Sequence, residues 1–125
     1  MSRIRSKDTK PEILVRKFLF GKGFRYKLHD KMLPGKPDLV FPKHKTVIFI
    51  HGCFWHGHEG CKYFVIPKTR RKWWVEKINR NKQLDTKHNR ELKHLGWKII
   101  TIFECRLKSK NRVKTLNHLT MKLDK

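Results

Sequence analysis

Residues 46–61 read TVIFIHGCFWHGHEGC, and this stretch decides the fold of the chain. Its first part, Thr46 to Ile50, is a continuous β-branched and aromatic run, which is typical of a strand buried on both faces of a sheet. The part that follows, His51 to Cys61, is crowded with cysteine and histidine, the residue types that bind zinc. The stretch therefore predicts a central strand that leads directly into a metal-binding loop.

The segments on either side of this strand predict an α/β fold. Thr9-Lys10-Pro11-Glu12 has the pattern of a capping box, so a helix is expected to begin there and to end near Gly21 and Gly23. Further patterns predict strands over residues 24–29 and 39–41, one long or two shorter helices over 69–95, a strand over 97–103 and a last helix near 113–123. This order predicts one domain with a mixed sheet covered by helices.

The charge of the chain indicates a polyanionic partner. The formal net charge is +22, from 32 Lys and Arg against 10 Asp and Glu, which makes nucleic acid the first partner to consider. No apolar run approaches the roughly 20 residues of a membrane span, and the start MSRIR lacks the apolar stretch of a signal peptide. We therefore expect an intracellular protein with no membrane partner. A basic RNA-binding protein of ribosomal type would also explain the charge.

The cysteines predict a metal site. Their odd number, three, argues against a disulfide framework. Cys53, His58 and Cys61, completed by the distant Cys105, form a Cys3His set that suits a structural, four-coordinate Zn2+ ion. Two alternatives are a loop without metal, and a Cys105 that is a small buried residue at the end of a strand.

His51 and His56 are not needed by that zinc ion. They bracket the metal loop at the C-terminal end of the central strand, where α/β proteins place reactive groups. Imidazole titrates near neutral pH and can activate water or protonate a leaving oxygen, so both histidines are candidate catalytic residues.

Asp38 is a candidate magnesium ligand. It lies between Pro37 and the apolar triplet 39–41, where a carboxylate is costly to bury unless it binds a cation. Mg2+ prefers oxygen ligands and commonly bridges a carboxylate to a phosphate, which predicts phosphodiester hydrolysis. The alternative is a turn aspartate that accepts backbone N–H bonds.

Pro37-Asp38-Leu39-Val40, followed by residues 46–58, strongly resembles the very-short-patch repair (Vsr) DNA mismatch endonucleases. The segments 1–12, 33–38, 77–81 and 96–105 match this family as well, so the resemblance covers nearly the whole chain. It implies a single domain over residues 1–125 with a fold similar to type II restriction endonucleases of the PD-(D/E)xK type. The implied activity is a Mg2+-dependent cut in one DNA strand, 5′ of the thymine in a T:G mismatch left by deamination of 5-methylcytosine.

The resemblance also implies roles for individual residues. Asp38 and the backbone carbonyl of Ile50 would bind one or two Mg2+ ions, and Glu12 would reach that site through water, although its place in the capping box is an alternative explanation. His51 and His56 would be catalytic. Cys53, His58, Cys61 and Cys105 would hold the structural zinc. The family varies around Glu59, so His56 stays open as the alternative imidazole ligand.

Several residues are expected to contact DNA. In the family pattern Phe54 and Trp55 wedge into the duplex beside the mismatch, with Met1 entering from the other groove, because a T:G pair is stacked less well than a matched pair. Core packing is the alternative for Phe54 and Trp55. Adjacent residues on one helix cannot both face the core, so Trp73 or Trp74 is expected to touch DNA. Lys68, Arg70 and Arg71 are expected to contact phosphates, with a solvated face as the alternative.

One departure from the wider nuclease superfamily concerns proton chemistry. That superfamily has an acidic-x-Lys pair on the central strand, whereas this strand ends Phe49-Ile50-His51, so a histidine must take the place of the lysine. The expected protein is a monomeric, bacterial, cytoplasmic and nucleoid-associated endonuclease that binds double-stranded DNA with a T:G mismatch, with mismatch-repair proteins as further candidate partners. The alternative function is a zinc-stabilised nucleic-acid-binding module without catalysis.

Overall fold

In the described part of the chain, the fold is built on a mixed sheet of four strands. The structure is a computed structural model that describes residues 10–28, 30, 32–54, 56–58, 60–62, 64–108 and 111–123. The strands are β1 (Lys27–Leu28), β2 (Leu39–Phe41), β3 (Thr46–His51) and β4 (Lys98–Phe103), and they lie in that order across the sheet. Neighbours from β1 to β3 are antiparallel, whereas β4 is parallel to β3. The predicted mixed α/β fold is therefore confirmed.

Strand β3 is the interior strand that its sequence predicts. Val47 and Ile48 have no exposed surface, and the other residues of the strand are buried or half-buried. A short turn over Pro42–His44 joins β2 to β3, and the register pairs Leu39 with Ile48. The apolar run is continuous because both faces of this strand are covered.

Among the residues that the structure describes, three helices cover the two faces of the sheet: α1 (Lys10–Gly21), α2 (Arg71–His94) and α3 (Arg112–Leu123). Alternate side chains of a strand point to opposite faces. Ile48 packs with apolar residues of α1 and α3, whereas Val47 and Phe49 pack with Leu92 of α2. In the described part of the chain, no helix combines the length and the apolar character that a membrane crossing requires.

The structure decides between the two alternatives for the helical region and shortens one predicted strand. The region 69–95 forms one helix of 24 residues, because Asn79 and Arg80 face solvent and so do not interrupt it. The strand predicted over 24–29 is reduced to Lys27–Leu28. Phe24 instead turns into the core, where its ring meets that of Phe41 edge-on. Thr9 and His29 lie outside the described residues.

Candidate active site and metal centre

The Cys3His set comes together at one end of the sheet. Cys53 and His58 follow β3, Cys61 closes the same loop, and Cys105 follows β4. Because β3 and β4 are parallel with His51 opposite Phe103, the residues after both strands reach the same edge. One ligand atom from each of the four residues lies within 4.8 Å of the others, and Sγ of Cys105 is 3.4 Å from Nδ1 of His58. This cluster can hold a metal ion.

The chemistry of the cluster fits a cation. Burial raises the pKa of the Cys53 thiol to about 12 and also raises the pKa of Cys105, so this environment penalises the thiolates by themselves. A bound metal supplies the positive charge that stabilises thiolates in such surroundings. The ring of His58 is stacked on Phe103 with the centroids 3.9 Å apart, which fixes its plane beside the cysteines.

A second cluster contains His51, His56 and Asp85. The two imidazole rings are stacked almost parallel, with their centroids 3.7 Å apart and an interplanar angle of 6°. Nδ1 of His56 lies 2.7 Å from Oδ2 of Asp85, and since a carboxylate only accepts, this distance indicates that Nδ1–H donates. In the neutral form of His56 the lone pair is therefore on Nε2. The structure thus groups His58 with the cysteines and His56 with His51 and Asp85.

His51 is held as a neutral imidazole. It is the last residue of β3 and is only 8% exposed, and its ring contacts those of Phe49 and Phe103. Burial, and next the neighbouring His56, lower the pKa of His51 to about 4, with Asp85 partly opposing the shift. The ring consequently carries no charge near neutral pH.

Asp85 was missed in the sequence, although a signal for it exists. Ile78, Asp85 and Leu92 are spaced by seven residues, and Ile78 and Leu92 are the buried residues of α2. Positions seven apart lie on the same side of a helix, so the carboxylate must point towards the sheet. His51 shares the strand face of Val47 and Phe49, which is the face that α2 covers.

Asp38 is fixed to the central strand. Its Oδ2 accepts a hydrogen bond from the backbone N–H of Ile50 at 2.7 Å. The carboxylate therefore accepts a backbone N–H, as the alternative interpretation expects, but the donor is on the neighbouring strand rather than in its own turn.

The backbone beside Asp38 offers a second oxygen. If the register of Leu39 with Ile48 is extended by two residues, Pro37 falls opposite Ile50. The N–H and C=O of one extended residue point to the same neighbouring strand, so the carbonyl of Ile50 faces this edge too. Pro37 has no N–H to donate to it. The Ile50 carbonyl and the Asp38 carboxylate thus lie on the same edge of β3.

Glu12 is buried on α1. Only 2% of its surface is exposed, and its Oε2 lies 3.4 Å from Nη1 of Arg16. Among the described residues, neither of the two ligand clusters includes Glu12 or Asp38.

An aromatic surface connects the metal loop to the start of α2. Phe54 is half-buried and meets Phe64 and Trp74 edge-on, with ring centroids 6.4 Å and 5.3 Å away. Trp73 is 44% exposed, whereas Trp74 is half-buried, so the two adjacent tryptophans do not both face the core, as expected for neighbours on one helix. The guanidinium of Arg70 lies 5.1 Å from the Trp73 ring centroid. Lys68, Arg70 and Arg71 are exposed, and Met1 and Trp55 lie outside the described residues.

Comparison with known proteins identifies the family. A family model described as DNA mismatch endonuclease Vsr matches residues 1–62. The type II nicking enzyme V.NmeAIP of Neisseria meningitidis is 54% identical over 110 residues, which cover 88% of this chain and 78% of that protein. DNA mismatch endonuclease Vsr of Escherichia coli is 38% identical over 124 residues, covering 99% of this chain and 78% of that protein.

A further relative, the type II nicking enzyme V.XorIIP of Xanthomonas oryzae, is 45% identical over 107 residues, with 86% of this chain and 78% of that protein covered. All of these relatives carry the names of endonucleases or nicking enzymes, which confirms the prediction of an enzyme and disfavours a binding module without catalysis. The resemblance noted in the sequence is confirmed as well: the chain belongs to the Vsr family of DNA mismatch endonucleases.

Proposed function

We propose that the protein is a Mg2+-dependent endonuclease that nicks one strand of double-stranded DNA, 5′ of the thymine in a T:G mismatch. The observation that carries this proposal is the His51–His56–Asp85 cluster at the end of β3. His51 directly follows Ile50, whose backbone N–H donates a hydrogen bond to Asp38. The names of the relatives, a mismatch endonuclease and several nicking enzymes, support it. A mixed sheet with helices on both faces is compatible with a single domain of the restriction-endonuclease type.

Asp38 and the Ile50 carbonyl would hold the magnesium. Both are oxygen donors on one edge of β3, and Mg2+ selects such ligands while it keeps several waters. Glu12 would contact one of these waters, and the number of ions is one or two. When bound, Mg2+ would polarise the scissile phosphate and lower the pKa of a coordinated water.

His56 is suited to take a proton from the attacking water. The Asp85 carboxylate holds Nδ1–H, so Nε2 is the basic atom and its direction is fixed. His51 is stacked on His56 as a neutral ring, which can donate one N–H to a phosphate oxygen without carrying charge. The two histidines thereby replace the lysine of the wider superfamily.

The Cys3His cluster would hold a structural zinc ion, because thiolates and imidazole are the ligands that Zn2+ prefers. Zinc would tie the loop after β3 to the end of β4 and so direct Phe54 and Trp55 towards the base stack. Trp73 or Trp74 and Met1 would add further contacts to the bases. Lys68, Arg70 and Arg71 would bind phosphates near the start of α2. Mismatch-repair proteins are proposed as additional partners.

A nicking assay tests this function directly. End-labelled duplexes that differ only in one base pair and its neighbours are incubated with the protein and Mg2+. We expect a single cut 5′ of the thymine in T:G and none in the matched T:A duplex. Cleavage of both at the same rate would refute mismatch specificity. Asp38→Ala is expected to abolish cutting, whereas Glu76→Ala, an exposed carboxylate on α2, is the matched control.

A further inference from the structure

The His51–His56–Asp85 cluster has the composition of a transition-metal site. Two imidazoles and a carboxylate are ligands that Zn2+, Co2+ and similar ions accept readily, whereas Mg2+ prefers oxygen alone. One ligand atom from each residue lies within 4.8 Å of the other two, and all three residues are buried or half-buried. We propose that these residues form a second metal site, which binds a divalent transition-metal ion and thereby blocks the endonuclease.

The distances in this cluster are close to those that such a site requires. With metal–ligand bonds of about 2.0–2.2 Å, neighbouring ligand atoms of a four-coordinate ion are about 3.3 Å apart. Nδ1 of His56 and Oδ2 of Asp85 are at present 2.7 Å apart, with a proton between them. An ion can replace this proton, which passes to water, if the side chains reorient, and no movement of β3 or α2 is required.

An ion at this site would disrupt the arrangement of the two histidines. The lone pair of an imidazole nitrogen lies in the plane of its ring, so two parallel rings cannot both point at one ion. The rings of His51 and His56, now at 6° to each other, would tilt, and the hydrogen bond from His56 to Asp85 would be lost. The metal-bound state and the hydrogen-bonded state exclude each other. The consequence for activity rests on the proposed function, because it requires that these histidines act in catalysis.

The site is separate from the Cys3His cluster. The two clusters share no residue, although their members alternate along the chain from His51 to His58. A set with three thiolates binds Zn2+ more tightly than two imidazoles and a carboxylate. The first equivalent of metal is therefore expected to fill the cysteine cluster, and only the second equivalent to reach His51, His56 and Asp85.

The binding step can be measured without any activity. Protein loaded with one equivalent of Zn2+ is titrated with Co2+, and visible absorption is recorded together with the near-ultraviolet band that marks cobalt bound to thiolate. We expect one equivalent of Co2+ to bind without the thiolate band. Asp85→Asn should weaken this binding at least about tenfold. Glu91→Gln, which removes an exposed carboxylate of the same helix, should leave it unchanged.

The inhibitory step is measured by nicking of the T:G duplex at saturating Mg2+. Added Co2+ should lower the rate at least tenfold, with a midpoint equal to that of the absorption change. If the zinc-loaded protein binds no second equivalent, or if Asp85→Asn binds it equally well, the site is refuted. If the site fills and the nicking rate stays the same, the inhibition is refuted. A protein that does not nick at all would refute the proposed function, while the absorption titration still decides on the metal site.

Discussion

Asp85 decides which nitrogen of His56 carries a proton. We expect Asp85→Asn to slow nicking by about 100-fold or more, because the amide can donate to Nδ1 and leave Nε2 protonated, the wrong tautomer for a base. Single-turnover rates at saturating DNA measure this effect, and the affinity for DNA should stay the same. Glu91→Gln should keep the full rate. An Asp85→Asn rate close to that of the unaltered protein would contradict the role of Asp85.

The buried neutral state of His51 links stability to pH. Its pKa is about 4 in the folded protein, below the ordinary value of 6.5, so the unfolded chain binds the proton more tightly. The stabilisation is present above the unfolded pKa and is lost as the pH falls towards 4. From about pH 7 to about pH 5 this one residue should lower the free energy of unfolding by roughly 2 kcal/mol.

Urea unfolding of His51→Gln isolates this contribution. The variant does not titrate at position 51, so its stability should fall less between the two pH values than that of the unaltered protein. Contributions from thiols and carboxylates are common to both proteins and cancel. His94→Gln removes an exposed histidine of α2 and should follow the unaltered protein. Equal pH dependence for His51→Gln and the unaltered protein would show that His51 is not the titrating group.

The candidate ligands differ in how far the sequence could reveal them. Cys53, His58 and Cys61 are recognisable as candidates by residue type and spacing within one loop, with His56 as the open alternative to His58. Cys105 joins them through the parallel pairing of β3 and β4. The hydrogen bond from Ile50 to Asp38 depends on the register of β2 and β3, which no local pattern specifies. To predict Asp85 as a partner of His56, one must know which helix covers the face of the sheet that carries His51. This is a property of the tertiary structure.

The metal loop and α2 are packed closely at Gly57. This glycine has a φ of +59°, and a Cβ built there would lie 2.8 Å from Cγ2 of Ile78 and would also overlap Cε of Lys82. Lys82 has a flexible end that can move aside. Ile78 is 2% exposed and fixed on the helix, so the loop would have to lift from α2.

Gly57→Ala is therefore expected to destabilise the protein more than Gly60→Ala. Gly60 also has a positive φ, +73°, but an added Cβ there meets no atom of the described residues within 4 Å, so Gly60→Ala measures the cost of backbone strain. Strain should cost each variant about 1 kcal/mol, and overlap should cost Gly57→Ala about 2 kcal/mol more. Denaturant unfolding measures both values. Equal losses would mean that the contact with Ile78 does not matter.

Long, strongly patterned elements could be predicted best. The apolar run of β3 and the helical spacing of Ile78 and Leu92 each specify their structure locally. The predicted extent of strand β1 is too long, because Phe24 and Tyr26 alternate with polar residues and yet pack against Phe41 from irregular backbone outside the strand. At the edge of a sheet, side-chain packing overrides the alternation of the sequence.

At the scale of the whole molecule, the net charge of +22 predicts binding that weakens steeply with salt. A general attraction and a local contact surface make different predictions for individual lysines and arginines. The basic residues Lys68, Arg70 and Arg71 lie near the start of α2, beside the aromatic surface of Phe54 and Trp73. The helices α1 and α3 cover the other face of the sheet.

Replacing Lys68, Arg70 and Arg71 together by alanine should reduce the slope of log K against log salt by about 2 to 3, since each phosphate contact contributes about 0.9. The matched control removes three exposed lysines from other elements, Lys17 of α1, Lys43 of the turn before β3 and Lys114 of α3. It lowers the net charge equally, but it should change the slope far less. Fluorescence anisotropy with a T:G duplex over a series of salt concentrations measures both. If the two triple variants lose the same slope, the DNA is attracted by the charge of the whole molecule, and the start of α2 is not a specific phosphate-binding surface.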